Sequence, residues 1–379
     1  MKEAITFADV LITPKFSTIE SRKDVDLGYN GEGLPYVSLP ILSANMDTIT
    51  ESKLARVMIS NGAQAVLHRF QSIQDNVQMF LDSSVRETGL IRIPMVSIGL
   101  GDKELQRAEA LVSVGATYFV VDVAHGASMG VVRQVRELRK LFKDNISITV
   151  GNFATGRSVI DFLEHTKNEQ IQGVKVGVGP GAICATRIVT GAGFPQLSAI
   201  MEISDRLKNS NITIIADGGM STSGDCAKAL GAGAHLLMSG TLFSGCEETP
   251  GETLWKDTFG NFITEDIVYP KIIDLKGNLV IDKNYKIDLP AFKKYRGSAS
   301  KESYEAQGKT ASHRAPEGEE IIVPFKGPVK DVLQHLEGGL RSAFTYTNSR
   351  NLEEFHRNVE FVKVSPNTVT ENGIRGSKK

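Results

Sequence analysis

The sequence predicts an α/β protein of the (β/α)8 TIM-barrel class, and three observations carry that prediction. Eight short apolar or β-branched runs recur through the first two thirds of the chain, each is followed by a helix-compatible segment, and chemically reactive residue types gather just past the C-terminal ends of the runs. The runs lie at residues 40–44, 65–68, 95–99, 118–122, 146–150, 174–176, 212–216 and 235–238. Eight strand–helix repeats in about 200 residues favour a closed barrel over an open doubly wound sheet. Helical periodicity is plain in Met129–Phe142, where Val131, Val132, Val135, Leu138, Leu141 and Phe142 fall on one side and arginines elsewhere.

After the eighth run the texture changes. Over 255–294, Phe262-Ile263, Val268-Tyr269, Ile272-Ile273 and Leu279-Val280-Ile281 alternate with Gly260-Asn261 and Gly277-Asn278, which predicts β-hairpins inserted into the barrel framework. Residues 297–318 are polar with little periodicity and read as a mobile lid. Val332, Leu333, Leu336 and Leu340 predict a last amphipathic helix over 329–340, and the polar tail 365–379 is expected to fray. The whole of 1–379 is expected to form a single catalytic domain.

Composition limits the partners. With 43 Lys and Arg against 44 Asp and Glu the formal charge is -1, so no global field favours nucleic acid or an anionic membrane, and a small molecule is the expected ligand. The 3 cysteines, Cys184, Cys226 and Cys246, lack metal-ligand spacing, and their odd number suits a reducing compartment. No apolar run reaches the roughly 18 residues of a membrane helix, and charged Lys2, Glu3 and Asp9 open the chain, so a cytoplasmic protein is expected.

The most informative stretch is Gly177-Val178-Gly179-Pro180-Gly181-Ala182-Ile183-Cys184-Ala185-Thr186-Arg187, which leaves the run Val174-Lys175-Val176. Its glycines let main-chain groups approach an ion or phosphate, and a thiol near Arg187 is a candidate nucleophile; a buried cysteine after a turn is the alternative. Asn45-Met46-Asp47, Asp122 and Asp217-Gly218-Gly219 fall on the same rim. Each alone could be a helix cap or turn glycine, but their common edge points to a site.

The chain resembles the IMP dehydrogenase/GMP reductase family over nearly its whole length. The resemblance rests on Phe7-Ala8-Asp9-Val10-Leu11, Ser21-Arg22-Lys23-Asp24-Val25-Asp26-Leu27, Ala44-Asn45-Met46-Asp47-Thr48, the cysteine loop, Gly193-Phe194-Pro195-Gln196-Leu197-Ser198-Ala199, Asp217-Gly218-Gly219, Pro250-Gly251-Glu252, Tyr295-Arg296-Gly297 and Gly338-Gly339-Leu340-Arg341-Ser342. Ser21-Arg22 and Ala44-Asn45-Met46-Asp47-Thr48 are similar to the reductase branch, and two further features lean the same way. No regulatory CBS pair is inserted between Arg69 and Met95, and Ala311-Ser312-His313-Arg314-Ala315-Pro316-Glu317-Gly318 is similar to the short reductase lid, without the Arg-Tyr pair of the dehydrogenase flap. The activity so implied is conversion of GMP to IMP and ammonia with NADPH through a covalent cysteine thioimidate. The alternatives are oxidation of IMP to XMP with NAD, and a catalytically silent purine-nucleotide binder.

The resemblance also implies roles. Cys184 would attack the purine, with Thr186 and Glu317 handling the proton of the departing amine. Met46, Gly181, Asp217, Gly218, Gly219, Gly240, Thr241, Tyr295, Gly297, Arg314 and Gly318 match nucleotide contacts, with Asp217 on the ribose hydroxyls. Ser21, Arg22, Arg69, Asp122, Val123, Ala124, Ser342 and Thr345 match NADPH contacts, and Ser21 and Arg22 are expected to serve a neighbouring subunit, hence a homo-oligomer, a tetramer. Carbonyls of Gly179, Gly181 and Cys184 match a K⁺ site; a loop held by its own hydrogen bonds is the alternative. Departures are Ala182 where serine is usual, Ala185 where threonine is usual, Ser298-Ala299-Ser300, and the long excursion at 255–294.

Overall fold

The computed structural model describes residues 3–87, 89–167, 169–269, 271–273, 279–282, 288–306, 315–365, 367 and 368. Eight parallel strands close into a barrel: β1 (Ile41–Ser43), β2 (Gln64–Leu67), β3 (Met95–Ile98), β4 (Tyr118–Asp122), β5 (Ser147–Phe153), β6 (Gly173–Val176), β7 (Thr213–Asp217) and β8 (Leu236–Ser239). They follow one another in chain order round the ring, which closes where Leu237 of β8 lies opposite Ile41 of β1. Every residue of β1, β2, β3, β6 and β8 is buried, the consequence of helices outside and a filled interior, and this is why the runs read as continuous apolar stretches. All eight predicted runs are barrel strands; the fifth extends to Phe153, three residues beyond its predicted end, and so carries Asn152 onto the rim.

Two apolar layers result. Leu42, Val66, Met95, Val120, Ile215, Leu236 and Met238 fill the barrel, while Ile41, Leu67, Val96, Val121, Val174 and Val176 face the helices. The helices between strands are α1 (Ser52–Ser60), α2 (Ile73–Ser83), α3 (Asp102–Ser113), α4 (Met129–Phe142), α5 (Gly156–Thr166), the short α6 (Thr186–Thr190), α7 (Gln196–Leu207) and α8 (Ser223–Gly231). Ser72, Ser128, Thr155 and Thr222 cap α2, α4, α5 and α8 by accepting from main-chain N–H groups of the first turn. Helix α4 has the predicted bounds and buries Val131, Val132, Val135 and Leu138. Leu141, expected on that face, is 44% exposed, while Phe142 beside it packs against the core.

Beyond β8 come β9 (Leu254–Lys256), β10 (Phe262–Ile263), α9 (Glu265–Val268), β11 (Lys271–Ile273), β12 (Leu279–Ile281), β13 (Ala291–Arg296), α10 (Lys301–Ala306), β14 (Glu320–Pro324), α11 (Val329–Tyr346) and α12 (Leu352–Asn358). Two hairpins form as predicted, β9 with β10 across Gly260 and β11 with β12, although the turn residues Gly277 and Asn278 lie outside the described residues. Val268-Tyr269 does not pair as a strand. The N–H groups of Val268 and Tyr269 bond back to the carbonyls of Thr264 and Glu265 at 3.2 and 3.1 Å, closing the turn of α9 instead. Strands β10, β9, β13 and β14 make one antiparallel sheet, with Tyr295 opposite Ile321 and Arg296 opposite Glu320.

The expected lid is more ordered at its ends than its composition implies. It contains α10, and Gly318 forms β-bridges to both Cys184 and Ser300. Its centre, 307–314 with Arg314, lies outside the described residues, as does most of the predicted tail. Helix α11 outruns its predicted end at 340, since Phe344 continues the buried series Leu333, Leu336, Leu340 by another turn. Among the described residues no helix is long and apolar enough to cross a membrane.

Candidate active site

A cavity of about 400 Å³ opens at the C-terminal ends of the barrel strands, a size that suits a small-molecule ligand. One wall is the cysteine loop. At the exit of β6, Gly177 adopts φ +150°, and a side chain there would drive its Cβ into the Asp217 carbonyl oxygen, so only glycine lets the loop pass beneath the end of β7. The Cys184 N–H donates to the Gly181 carbonyl at 3.0 Å, turning the chain so that the half-buried thiol lines the cavity. Arg187 is not a partner of the thiol. Its guanidinium donates to the carbonyls of Val178 at 3.3 Å and Phe194 at 2.5 Å, bracing the loop from behind.

The other wall comes from the sheet beyond β8. The Ala185 N–H donates to the Glu317 carbonyl at 2.8 Å and the Glu319 N–H to the Ile183 carbonyl at 3.0 Å, a short antiparallel ladder that sets Glu317 beside the cysteine loop. Side chains complete the contact: the Cys184 thiol donates to Thr186 Oγ1 at 3.2 Å, and the Thr186 hydroxyl donates to Glu317 Oε2 at 2.8 Å. A proton leaving sulfur therefore has a two-step route to a carboxylate, and the same route returns it to a leaving group. The remaining thiols cannot compete. Burial pushes Cys246 up to about 12 and raises Cys226 as well, and neither lines the cavity.

At the floor, the Lys175 ammonium, 2% exposed, donates to Asp122 Oδ1 at 2.6 Å and Asp217 Oδ2 at 2.9 Å. Asn45 donates to the other Asp122 oxygen at 2.9 Å; Asn152 donates to Asp217 Oδ2 at 2.9 Å and to the Gly177 carbonyl at 2.8 Å. Burial alone would raise the Asp122 carboxyl, but the Lys175 ammonium, helped by Arg69 and Asn45, holds it below the usual carboxylate value. The Lys175 pKa moves up: its two carboxylates outweigh the desolvation of its own charge.

The far side is built by β8 and β13. Gly240 faces Met46 and Tyr295, and a Cβ added there would come within 2.7 Å of Met46 Sδ and Tyr295 OH. The Tyr295 phenol sits 3.4 Å from Thr241 Oγ1 and is pushed up to about 12 by burial, so it stays a neutral donor at physiological pH. Arg296 anchors this strand to the first barrel loop, donating to Asp47 at 2.6 Å, while its main-chain N–H donates to Thr48 Oγ1 at 3.0 Å.

Of the residues singled out from sequence, Cys184, Thr186, Glu317, Met46, Gly179, Gly181, Asp217, Gly218, Gly240, Thr241, Tyr295, Gly297, Gly318, Arg69, Asp122, Val123 and Ala124 line this one cavity. Gly219 stands behind it against Pro180, and Arg314 is outside the described residues. Ser21, Arg22, Ser342 and Thr345 do not line it. They gather around Arg341, which donates to the Arg22 carbonyl at 3.2 Å and to that of Val25, and accepts the Thr345 hydroxyl on its own carbonyl at 2.8 Å. Asn45, placed on the rim from sequence, also lines the cavity, whereas Lys175 and Asn152 are not among the residues the sequence points to. Lys175 had a signal: a charged residue in the middle of an apolar strand is rare unless it is paired.

A family model described as "IMP dehydrogenase / GMP reductase domain" matches residues 4–261 and 283–375. Among curated proteins, one named "GMP reductase" from Vibrio vulnificus is 31% identical over 379 residues, covering 98% of this chain and 97% of the relative. "GMP reductase" proteins from Photobacterium profundum and Aliivibrio fischeri are 31% and 30% identical, with 98% of this chain and 97% of each relative covered. The break in the family match falls within the excursion, leaving the barrel, the cysteine loop and the segment bearing Glu317 inside it. The chain belongs to the IMP dehydrogenase/GMP reductase family.

Proposed function

We propose that this protein is a GMP reductase that uses NADPH to convert GMP to IMP and ammonia through a thioimidate on Cys184. The observation that carries the reading is the Cys184–Thr186–Glu317 chain, reinforced by full-length relatives named for that activity. The Cys184 sulfur adds to C2 of the guanine ring, and its proton passes to Thr186 and Glu317. The pair then protonates the C2 amine, which departs as ammonia and leaves C2 bonded to sulfur. Bound NADPH supplies a hydride to C2. The C–S bond breaks, its electron pair returns to sulfur, and IMP is free to leave.

The remaining lining follows from the ligands. Both protein bonds to Asp217 fall on Oδ2, which leaves Oδ1 to accept from a ribose hydroxyl. Main-chain N–H groups of the glycine-lined loops suit the phosphate. Asp122, Val123 and Ala124 line the side assigned to the nicotinamide, and Arg69, its guanidinium carbon 5.0 Å from the centre of the Phe70 ring, lines the cavity with a positive charge suited to an anionic cofactor. Ser21 and Arg22, outside the cavity, fit the reading that these two residues serve a neighbouring subunit of a homotetramer. Carbonyls of Gly179, Gly181 and Cys184 are hard oxygen donors without a carboxylate among them, which suits K⁺. A cytoplasmic location belongs to the same reading.

The deciding experiment is a paired assay of nicotinamide absorbance, GMP with NADPH against IMP with NAD. NADPH oxidation with stoichiometric ammonia release is expected. NAD reduction with IMP and no GMP turnover would make the protein a dehydrogenase, and tight GMP binding without turnover in either pairing would make it a silent binder.

A further inference from the structure

We propose that Lys175 is a positioning residue that ties together the two ligand subsites of the cavity by holding Asp122 and Asp217 on a single ammonium group. Lys175 projects from β6 into the barrel, between Val174 and Val176, which face the helices. From there it reaches Asp217 on the adjacent β7 and Asp122 two strands away on β4. Among the described residues no other cation is bonded to either carboxylate; Asn45 and Asn152 supply the remaining donors, and Met238 Sδ of β8 lies against the ammonium at 3.8 Å. Arg69, from the end of β2, acts on Asp122 through its charge, and Cys184 and Tyr295 complete the titratable groups facing this pair.

The consequence is geometric as well as electrostatic. Asp217 Oδ2 is committed to Lys175 and Asn152, so the orientation of Oδ1 toward the cavity is set by the clamp rather than by the ligand. Asp122 is fixed in the same way by Lys175 and Asn45. Two carboxylates and one ammonium carry one net negative charge; without the ammonium, two buried negative charges would face each other and the carboxylates would hold protons more tightly. Lys175 itself has no acid–base step to perform, since its paired ammonium is held charged.

The inference rests on the nucleotide and nicotinamide assignments above, and the test separates the two. Wild type, Lys175→Met, Lys175→Arg and Lys175→Met/Asp122→Asn are compared in steady-state kinetics with GMP and NADPH across pH, and by thermal melting without ligands. Lys175→Met should lower kcat/KM about 100-fold, raise KM for both ligands, and move the acid limb of the pH profile to higher pH. Lys175→Arg, which keeps the charge, should recover part of each. The double variant should melt above Lys175→Met, because removing one carboxylate restores the local charge, yet regain no activity. Lys175→Met with wild-type KM values and an unmoved acid limb would overturn the proposal while leaving the reductase assignment intact. Should wild type itself not turn over GMP, the assignment falls, and the melting pair still decides: a double variant melting no higher than Lys175→Met overturns the clamp.

Discussion

Glu317 accepts the Thr186 hydroxyl at 2.8 Å although the two residues lie 131 positions apart in the chain. The contact exists because β14 pairs with β13 and the residues before it form a ladder with the cysteine loop. Glu317 is thus delivered by a sheet outside the barrel to a thiol at the barrel rim. Glu317→Gln keeps the shape and removes the base, so kcat should fall about 100-fold or more with little change in KM for GMP. Thr186→Val should cost a similar factor. Because the two side chains form one relay, the double variant should be no worse than about the poorer single variant. Losses that multiply in the double variant would show the residues acting independently.

The thiols offer a test that needs no turnover. Cys184 lines the cavity, while Cys226 and Cys246 are buried and their thiols are raised by that burial. Brief treatment of the native protein with iodoacetamide should alkylate Cys184 alone, and bound GMP should slow the reaction. Peptide mass spectrometry reads both. Early modification of Cys226 or Cys246, or the absence of nucleotide protection at Cys184, would contradict the placement of the thiol.

Gly240 and Tyr295 define how tightly the nucleotide side is packed. Gly240→Ala puts a methyl within 2.7 Å of both Met46 Sδ and Tyr295 OH, and Tyr295 is 3% exposed with little room to retreat. An overpacking cost of about 1–3 kcal/mol, set against nucleotide binding, corresponds to a rise of about 5- to 150-fold in the KM for GMP. Melting temperature should move less, since Met46 is flexible and can yield at some expense to the cavity. Unchanged KM with a large loss of melting temperature would place the glycine's role in folding rather than in the site.

The barrel was legible because each strand is buried on two sides, and continuous apolar runs are what such burial selects. The cysteine loop was legible for a different reason: its glycines are required by close main-chain approaches such as that of Gly177 to Asp217. Lys175 was passed over because apolar pattern matching counts the Val174–Val176 run as core and has no means of seeing two carboxylates from β4 and β7 converge on its middle residue. Leu141 fails in the opposite sense: at 100° per residue it falls at the margin of the Val131, Val135 and Leu138 stripe, and it is 44% exposed. The cluster of Ser21, Arg22 and Ser342 around Arg341 joins segments more than three hundred residues apart, and nothing in local sequence announces such a meeting.

A last prediction concerns the opposite end of the barrel, where His235 and His356 meet edge-on at 5.4 Å and Tyr29 stacks on His235 at 5.2 Å. His235 Nδ1 accepts the Ile214 N–H at 3.0 Å, which fixes the neutral tautomer with its proton on Nε2. Burial, with a smaller contribution from His356, lowers His235 to about 4; His356 is lowered by burial as well. In the unfolded chain an ordinary histidine protonates near pH 6.5, so between that pH and about 4 the unfolded state binds more protons than the folded one. Stability must therefore fall as the pH is lowered through this window and is fully restored above pH 6.5, with His235 alone accounting for about 3 kcal/mol. Urea unfolding of wild type at pH 7 and pH 4.5 should show this acid loss, and His235→Asn should show a smaller one. An equal acid loss in the variant would move its origin away from this pair, to carboxylates such as Asp122 that are held ionised by their partners.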